Sequence, residues 1–148
     1  MVSNNLLRFA ADNYGFDKRT CKFITYGLDE NKQLYTVSIN GKIFILRFLK
    51  TDINTINQTK AEMDWLFYLS NKNVNVPLPL MTQNRELVIS IKEDGENYII
   101  SVFSMAKGQA YNINDPKLWN IHVFFNWGKV VGKMHCLTKD YLPANNIK

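Results

Sequence analysis

The sequence predicts an α+β fold: a five-stranded antiparallel sheet with one main helix packed on it, then a linker and a long helix that opens a second, incomplete unit. Three observations carry that reading. Short strand-like apolar runs are joined by Asn40-Gly41 and Asp94-Gly95, dipeptides suited to the positive φ angles of two-residue hairpin turns. Residues 54–70, between the hairpins, repeat at helical spacing. Beyond Val102 the strand pattern stops, and helical spacing returns in a stretch crowded with aromatic residues.

In chain order, Asn4 or Asn5 is placed to cap a short helix with Leu6, Leu7, Phe9 and Ala10 on its apolar side, and Gly15 is a natural stop. Lys22 to Tyr26 (KFITY) reads as a first strand and Gly27 to Gln33 as the polar turn after it. In Leu34 to Ile39 (LYTVSI), Tyr35, Val37 and Ile39 share one face, and Leu34, Thr36 and Ser38 the other. Lys42 to Leu49 (KIFILRFL) runs back beside it. After the 54–70 helix, Val76-Pro77-Leu78-Pro79-Leu80 cannot be helical, because each proline pushes its predecessor into an extended conformation; a connector laid along the fold is expected. Glu86 to Ile91 and Tyr98 to Val102 flank the second hairpin turn and complete the sheet.

One charge sits inside the nearly all-apolar second hairpin strand. Arg47 cannot be buried at tolerable cost unless an anion or an acidic side chain meets it. Glu62, Leu66 and Leu69 fall on one stripe of the next helix, which places a carboxylate on the core-facing side with the same need. The two would satisfy each other and leave the guanidinium fork able to hold a second anion, such as a phosphate. A plain ion pair tying helix to sheet is the alternative.

Composition narrows the function classes. The 148 residues, 46% hydrophobic and 21% charged, suit one domain able to bury a core. The net charge of +5 comes from Lys and Arg scattered along the chain, which argues for a solvated surface and against a nucleic-acid footprint. Cys21 and Cys136 stand far apart with no CxxC or Cys/His ligand spacing, so buried thiols of a reducing compartment are expected and a metal site is not. No apolar run reaches the ~20 residues of a membrane helix, and the N-terminus lacks the zones of a signal peptide. A cytoplasmic protein without a membrane partner is the expectation.

Near the C-terminus, Asp115-Pro116 can open a helix along which Leu118, Ile121, Phe125, Gly128, Gly132 and His135 follow at helical spacing. Gly128 and Gly132 give a flat strip for close approach of another element. Trp119, Phe124, Trp127, Val131 and Met134 add apolar area that a single helix cannot bury. The sequence looks cut short after this helix.

The order of these segments, with LRF at Leu46 to Phe48, Glu62 before Trp65-Leu66, VPLP, VFSMAKG with Gly108, and WGKVVGKMH with Gly132 and Met134-His135, resembles the aminoglycoside phosphotransferase and choline kinase superfamily. The resemblance covers nearly the whole chain and implies a protein-kinase-like fold. It implies a nucleotide-binding N-lobe over 1–102, a hinge or linker over 103–114, and the first helix of a truncated C-lobe over 115–148. Arg47 then stands where kinases carry the phosphate-binding lysine of their third strand, and Glu62 where they carry its helical partner. Val37 and Ile45 would face the adenine, and Phe103, Ser104 and Met105 would be the hinge that reads the base edge; simple core packing of all five is the alternative. Residues 27–33 lack a GxGxxG run, so no phosphate contact is assigned to Asp29 to Lys32.

The same resemblance marks what is absent. The family's histidine-glycine-aspartate loop and later acidic motif are not found, so no residue is assigned a catalytic or metal-binding role; His135 is expected as a packed helix-end histidine, and His122 likewise as no catalyst. The cofactor implied is ATP or GTP with Mg, and the acceptor a small-molecule hydroxyl. The expected function is the nucleotide-binding part of an ATP- or GTP-dependent small-molecule phosphotransferase, inactive alone. Two alternatives stand beside it: a non-catalytic nucleotide-binding or self-associating module forming a homo-oligomer through the 117–137 helix, and a structural sheet with a closed Arg47–Glu62 pair.

Overall fold

Ser3, rather than Asn4 or Asn5, caps the first helix of the computed structural model, which describes residues 1–26, 31–52, 54–108 and 112–144. The Ser3 hydroxyl accepts from the Leu6 N–H at 3.1 Å and donates to Glu93 at 2.6 Å, so the cap also ties helix α1 (Asn4–Tyr14) to the sheet. Gly15 ends the helix in the left-handed region with φ 72°. A 3₁₀ turn, Lys18–Thr20, leads into strand β1 (Lys22–Tyr26).

Strands β2 (Lys32–Ile39) and β3 (Lys42–Lys50) form the first hairpin, with Asn40 and Gly41 at φ 50° and 74° as a two-residue turn of this kind requires. The turn fixes the register. Ile39 lies opposite Lys42, Tyr35 opposite Leu46, and Leu34 opposite Arg47. Helix α2 (Thr55–Asn71) follows. Strands β5 (Ile89–Glu93) and β6 (Glu96–Ser104) make the second hairpin through Asp94-Gly95. The order is β1-β2-β3-β6, with β5 along one stretch of the outer edge of β6 and β4 (Pro79–Leu80) along another.

Among the described residues the sheet therefore has six strands, not five. The expected connector enters it as β4, because the Ser104 N–H donates to the Leu78 carbonyl and the Leu78 N–H to the Ser104 hydroxyl, both at 2.8 Å. A proline is tolerated there because β4 is an edge. Strand ends shift as well: β2 starts at Lys32, inside the expected turn, whose residues 27–30 lie outside the described part. β5 starts at Ile89, and β6 reaches Ser104, two residues past the expected end of the strand unit.

Alternation then sorts side chains to two faces. On one, Tyr35, Val37, Leu46, Phe48, Ile100 and Val102 pack with Leu6, Ala10 and Tyr14 of α1. On the other, Met63 of α2 packs with Val88, Ile99 and Phe103. The expectation of one main helix is thus corrected: α1 covers the larger core.

Helix α3 (Ile121–Thr138) starts six residues later than Asp115, because Asn120 provides the cap by accepting from the His122 N–H at 2.9 Å. Asp115 instead closes a separate turn, accepting from the Lys117 and Leu118 N–H groups. No residue of α3 is buried. Its end is held to α2 by the Trp65 indole donating to the Thr138 hydroxyl at 3.0 Å and the Tyr68 hydroxyl donating to the Leu137 carbonyl at 2.8 Å. Tyr141, just beyond, donates to Asp64 at 2.7 Å. Among the described residues, no atom outside the helix's own backbone lies within 4 Å of a Cβ placed on Gly128 or Gly132. His135 and Cys136 are exposed rather than packed, and Cys21 is half-buried, because α3 lies against α2 only near its end and buries none of its residues. No described helix is long and apolar enough to cross a membrane.

Candidate functional site

Arg47 reaches the α2 face of the sheet because Leu46 and Phe48, its neighbours in β3, take the α1 face. Its terminal nitrogens donate to the two oxygens of Glu62 at 3.0 and 2.9 Å, a bidentate pair, and its Nε donates to the Ser101 hydroxyl at 3.1 Å. Ser101 lies directly opposite on β6. The guanidinium also stacks over the Phe103 ring, 4.8 Å from its centre. The Arg47 side chain is 11% exposed and that of Glu62 45%.

That exposure corrects the expectation for Glu62. Met63, fully buried, centres the packed face of α2, and one residue of helix turns the side chain by about 100°. Glu62 therefore stands at the rim of the packed face, not among core leucines. The pair opens onto a cleft of about 370 Å³ between sheet and helix. Lys32, Leu34, Ile45 and Arg47 line its sheet side, with Phe103 and Ser104 from β6. Glu62 and Leu66 line the helix side, and Pro77 and Ala106 close the end. The size is near the lower limit for small-ligand sites, and the mix of apolar walls with a few convergent charges is what such sites use. Larger hollows, as open as this cleft, lie along α3, one around Trp119 and Trp127 and one between Trp65 of α2 and Met134; their described linings are mostly apolar and hold no ion pair.

Of the residues singled out in the sequence, Arg47, Glu62, Ile45, Phe103 and Ser104 come together at this cleft. Val37 does not. It is fully buried against α1, because its partner across the hairpin is Phe44, whereas Ile45 pairs with Thr36. Met105 lies past the end of β6, exposed and outside the cleft lining. Ser104 has its N–H and hydroxyl engaged with Leu78, so those groups serve β4 rather than an open hinge. Lys32, Leu34, Leu66, Pro77 and Ala106 were not anticipated. For the first two a signal existed: a two-residue turn at Asn40-Gly41 pairs Ile39 with Lys42, and counting back puts Leu34 opposite Arg47 with Lys32 on the same face.

Amicoumacin kinase of Bacillus subtilis (strain 168) is 29% identical over 141 residues, 95% of this chain but 40% of its own length. A solved amicoumacin kinase in complex with AMP-PNP, Ca2+ and Ami superposes with a TM-score of 0.84 at 25% identity, over 99% of this chain and 43% of that one. The chain is thus similar to amicoumacin kinases in sequence and in fold over part of their length. A microcompartment-associated aminopropanol kinase shares this kinase-like fold, with a TM-score of 0.74 at 18% identity over 99% of this chain and 44% of its own. A spectinomycin phosphotransferase in complex with ADP and spectinomycin matches 71% of this chain and 30% of its own, with a TM-score of 0.52 at 19% identity. No family model matches the sequence. The chain thus spans about two-fifths of the length of the amicoumacin kinases and matches the N-terminal part of their fold.

Proposed function

We propose that this chain is the nucleotide-binding part of an ATP- or GTP-dependent small-molecule phosphotransferase, with 1–102 as the nucleotide lobe, 103–114 as the hinge and 115–148 opening the second lobe. The observation that carries the reading is the bidentate Arg47–Glu62 pair on the wall of an apolar cleft. Its relatives include a kinase solved with AMP-PNP and Ca2+, so the same cleft is the natural place for a nucleotide. Ile45 and Leu34 offer an apolar surface to the base, Phe103 and Ser104 flank it, and Glu62 orients Arg47 toward the phosphates. Each terminal nitrogen of Arg47 retains one N–H beyond the Glu62 bonds, so the pair does not exhaust its donors.

Magnesium would arrive on the nucleotide's phosphates and shield their charge. Among the described residues no group of three or more His, Cys, Asp or Glu is gathered to hold a metal, and no step is assigned through one. The sequence offers no aspartate in a catalytic-loop setting, so this chain binds nucleotide without transferring the phosphoryl group to a hydroxyl acceptor. Calorimetric titration of Mg-ATP and Mg-GTP into wild type, Arg47→Ala and Glu62→Ala tests the site. Binding that weakens in both folded variants supports it; binding indifferent to both makes the pair structural. Turnover of a hydroxyl substrate by this chain alone would overturn the inactivity.

A second reading, a self-associating module, draws on α3. Phe125 is 62% and Trp127 56% exposed on a helix with nothing buried. A strictly monomeric chain at high concentration would remove this reading while leaving the first.

A further inference from the structure

Lys32 shares the cleft wall with Arg47, yet it is not paired as the other cations beside it are. Arg47 has Glu62, and Lys50 has Glu96 at 3.0 Å. Among the described residues, no carboxylate or hydrogen-bond acceptor meets the Lys32 ammonium. A lone lysine is ordinary on an open surface. On the wall of a concave site with apolar neighbours it is a positive charge whose field the low-dielectric walls concentrate.

Its placement follows from the hairpin. Lys32 is the first residue of β2, opposite Leu49, and Leu34 two positions on lies opposite Arg47. Lys32 and Arg47 are therefore diagonal neighbours on one face, with backbones roughly 7–8 Å apart, a separation that two long side chains close easily. Glu62 neutralises one of the two charges, and among the described lining residues one positive charge is left over.

We propose that Lys32 is a second phosphate-binding cation, which with Arg47 grips a polyphosphate and makes the cleft discriminate by the number of phosphates rather than by the base. This rests on the nucleotide reading above. A single phosphate bridges Arg47 alone; a di- or triphosphate extends along the strand to Lys32 as well. The fork of Arg47 sets orientation, and the point charge of Lys32 adds affinity that salt screens.

The test is titration of ATP, ADP, AMP and adenosine into wild type, Arg47→Ala, Lys32→Gln, Lys32→Arg and Lys92→Gln at low and high salt. Lys92 is an exposed β5 lysine outside the cleft and controls for net charge. Lys32→Gln should weaken ATP about ten-fold and flatten its salt dependence, leave AMP and adenosine within about two-fold, and be rescued by Lys32→Arg. Equal ATP affinity in Lys32→Gln and wild type, with Arg47→Ala impaired, overturns the role of Lys32 and leaves the site. An equal loss in Lys92→Gln overturns it too, because net charge then suffices. A folded wild type that binds no ATP, or binds it as Arg47→Ala does, overturns the site and Lys32 together.

Discussion

Arg47 makes three kinds of contact at once: two parallel bonds to Glu62, one to the Ser101 hydroxyl, and a stack on Phe103. Each uses a property that lysine lacks, namely a fork, an Nε donor or a flat face. Arg47→Lys is therefore expected to lower stability by about 1 kcal/mol in urea unfolding despite keeping its charge. Two other side chains give chemical readouts. Burial pushes the Cys21 thiol up to about 11, whereas Cys136 is exposed, so iodoacetamide at pH 8 should label Cys136 well before Cys21 by mass spectrometry. Tyr14 donates to the Ile100 carbonyl at 3.2 Å, and burial, with Glu86 adding to it, raises its phenol above the tyrosine range. A folded value above the unfolded one means that the contribution is complete below about pH 10 and is lost as pH rises toward the folded value. Cys21 acts in the same direction, and the urea midpoint should fall between pH 8 and pH 11.

At the scale of elements, the β2–β3 hairpin decides which residues see the cleft. Its turn holds Gly41 at φ 74°, where a Cβ meets no described atom within 4 Å but a β-branched residue resists the backbone angle. Gly41→Val should thus cost about 1 kcal/mol or more, seen as a lower thermal midpoint, without any steric clash to explain it. Helix α2 has the other decisive role. One face carries Glu62 to the cleft, and Asp64, Trp65 and Tyr68 hold the end of α3 and Tyr141. Tyr141→Phe removes the bond to Asp64 and should speed amide exchange at the end of α3 more than in the sheet, which exchange with mass detection can resolve.

At the scale of the molecule, the sheet has both faces covered and α3 has none of its residues buried. Exposed aromatic area of this kind drives association. Phe125→Lys with Trp127→Lys is expected to lower the apparent mass in sedimentation at tens of micromolar, where about that concentration favours weak self-contacts, and to leave ATP affinity unchanged because neither residue lines the cleft. The chain covers 40% of the length of the Bacillus subtilis kinase, and α3 is the first long helix after the sheet.

Much of this is legible in the sequence. Asn40-Gly41 and Asp94-Gly95 announced both hairpins, and an arginine in an apolar strand followed by a helical glutamate announced an ion pair, because turn angles and unpaired charges are local demands that few residues can meet. The register also lies in the sequence: alternation puts Val37 with Tyr35 and Ile39, as the structure does, and only the family resemblance sets it beside Ile45 at the cleft. The tertiary structure decided the rest. Pro79 and Leu80 join the sheet only because β6 presents an open edge to them, and Glu62 sits at a rim only because Met63 finds a hollow to fill. Which helix covers the larger core is likewise set by which faces meet. Local chemistry fixes turns and charges; the company of distant strands fixes what they face.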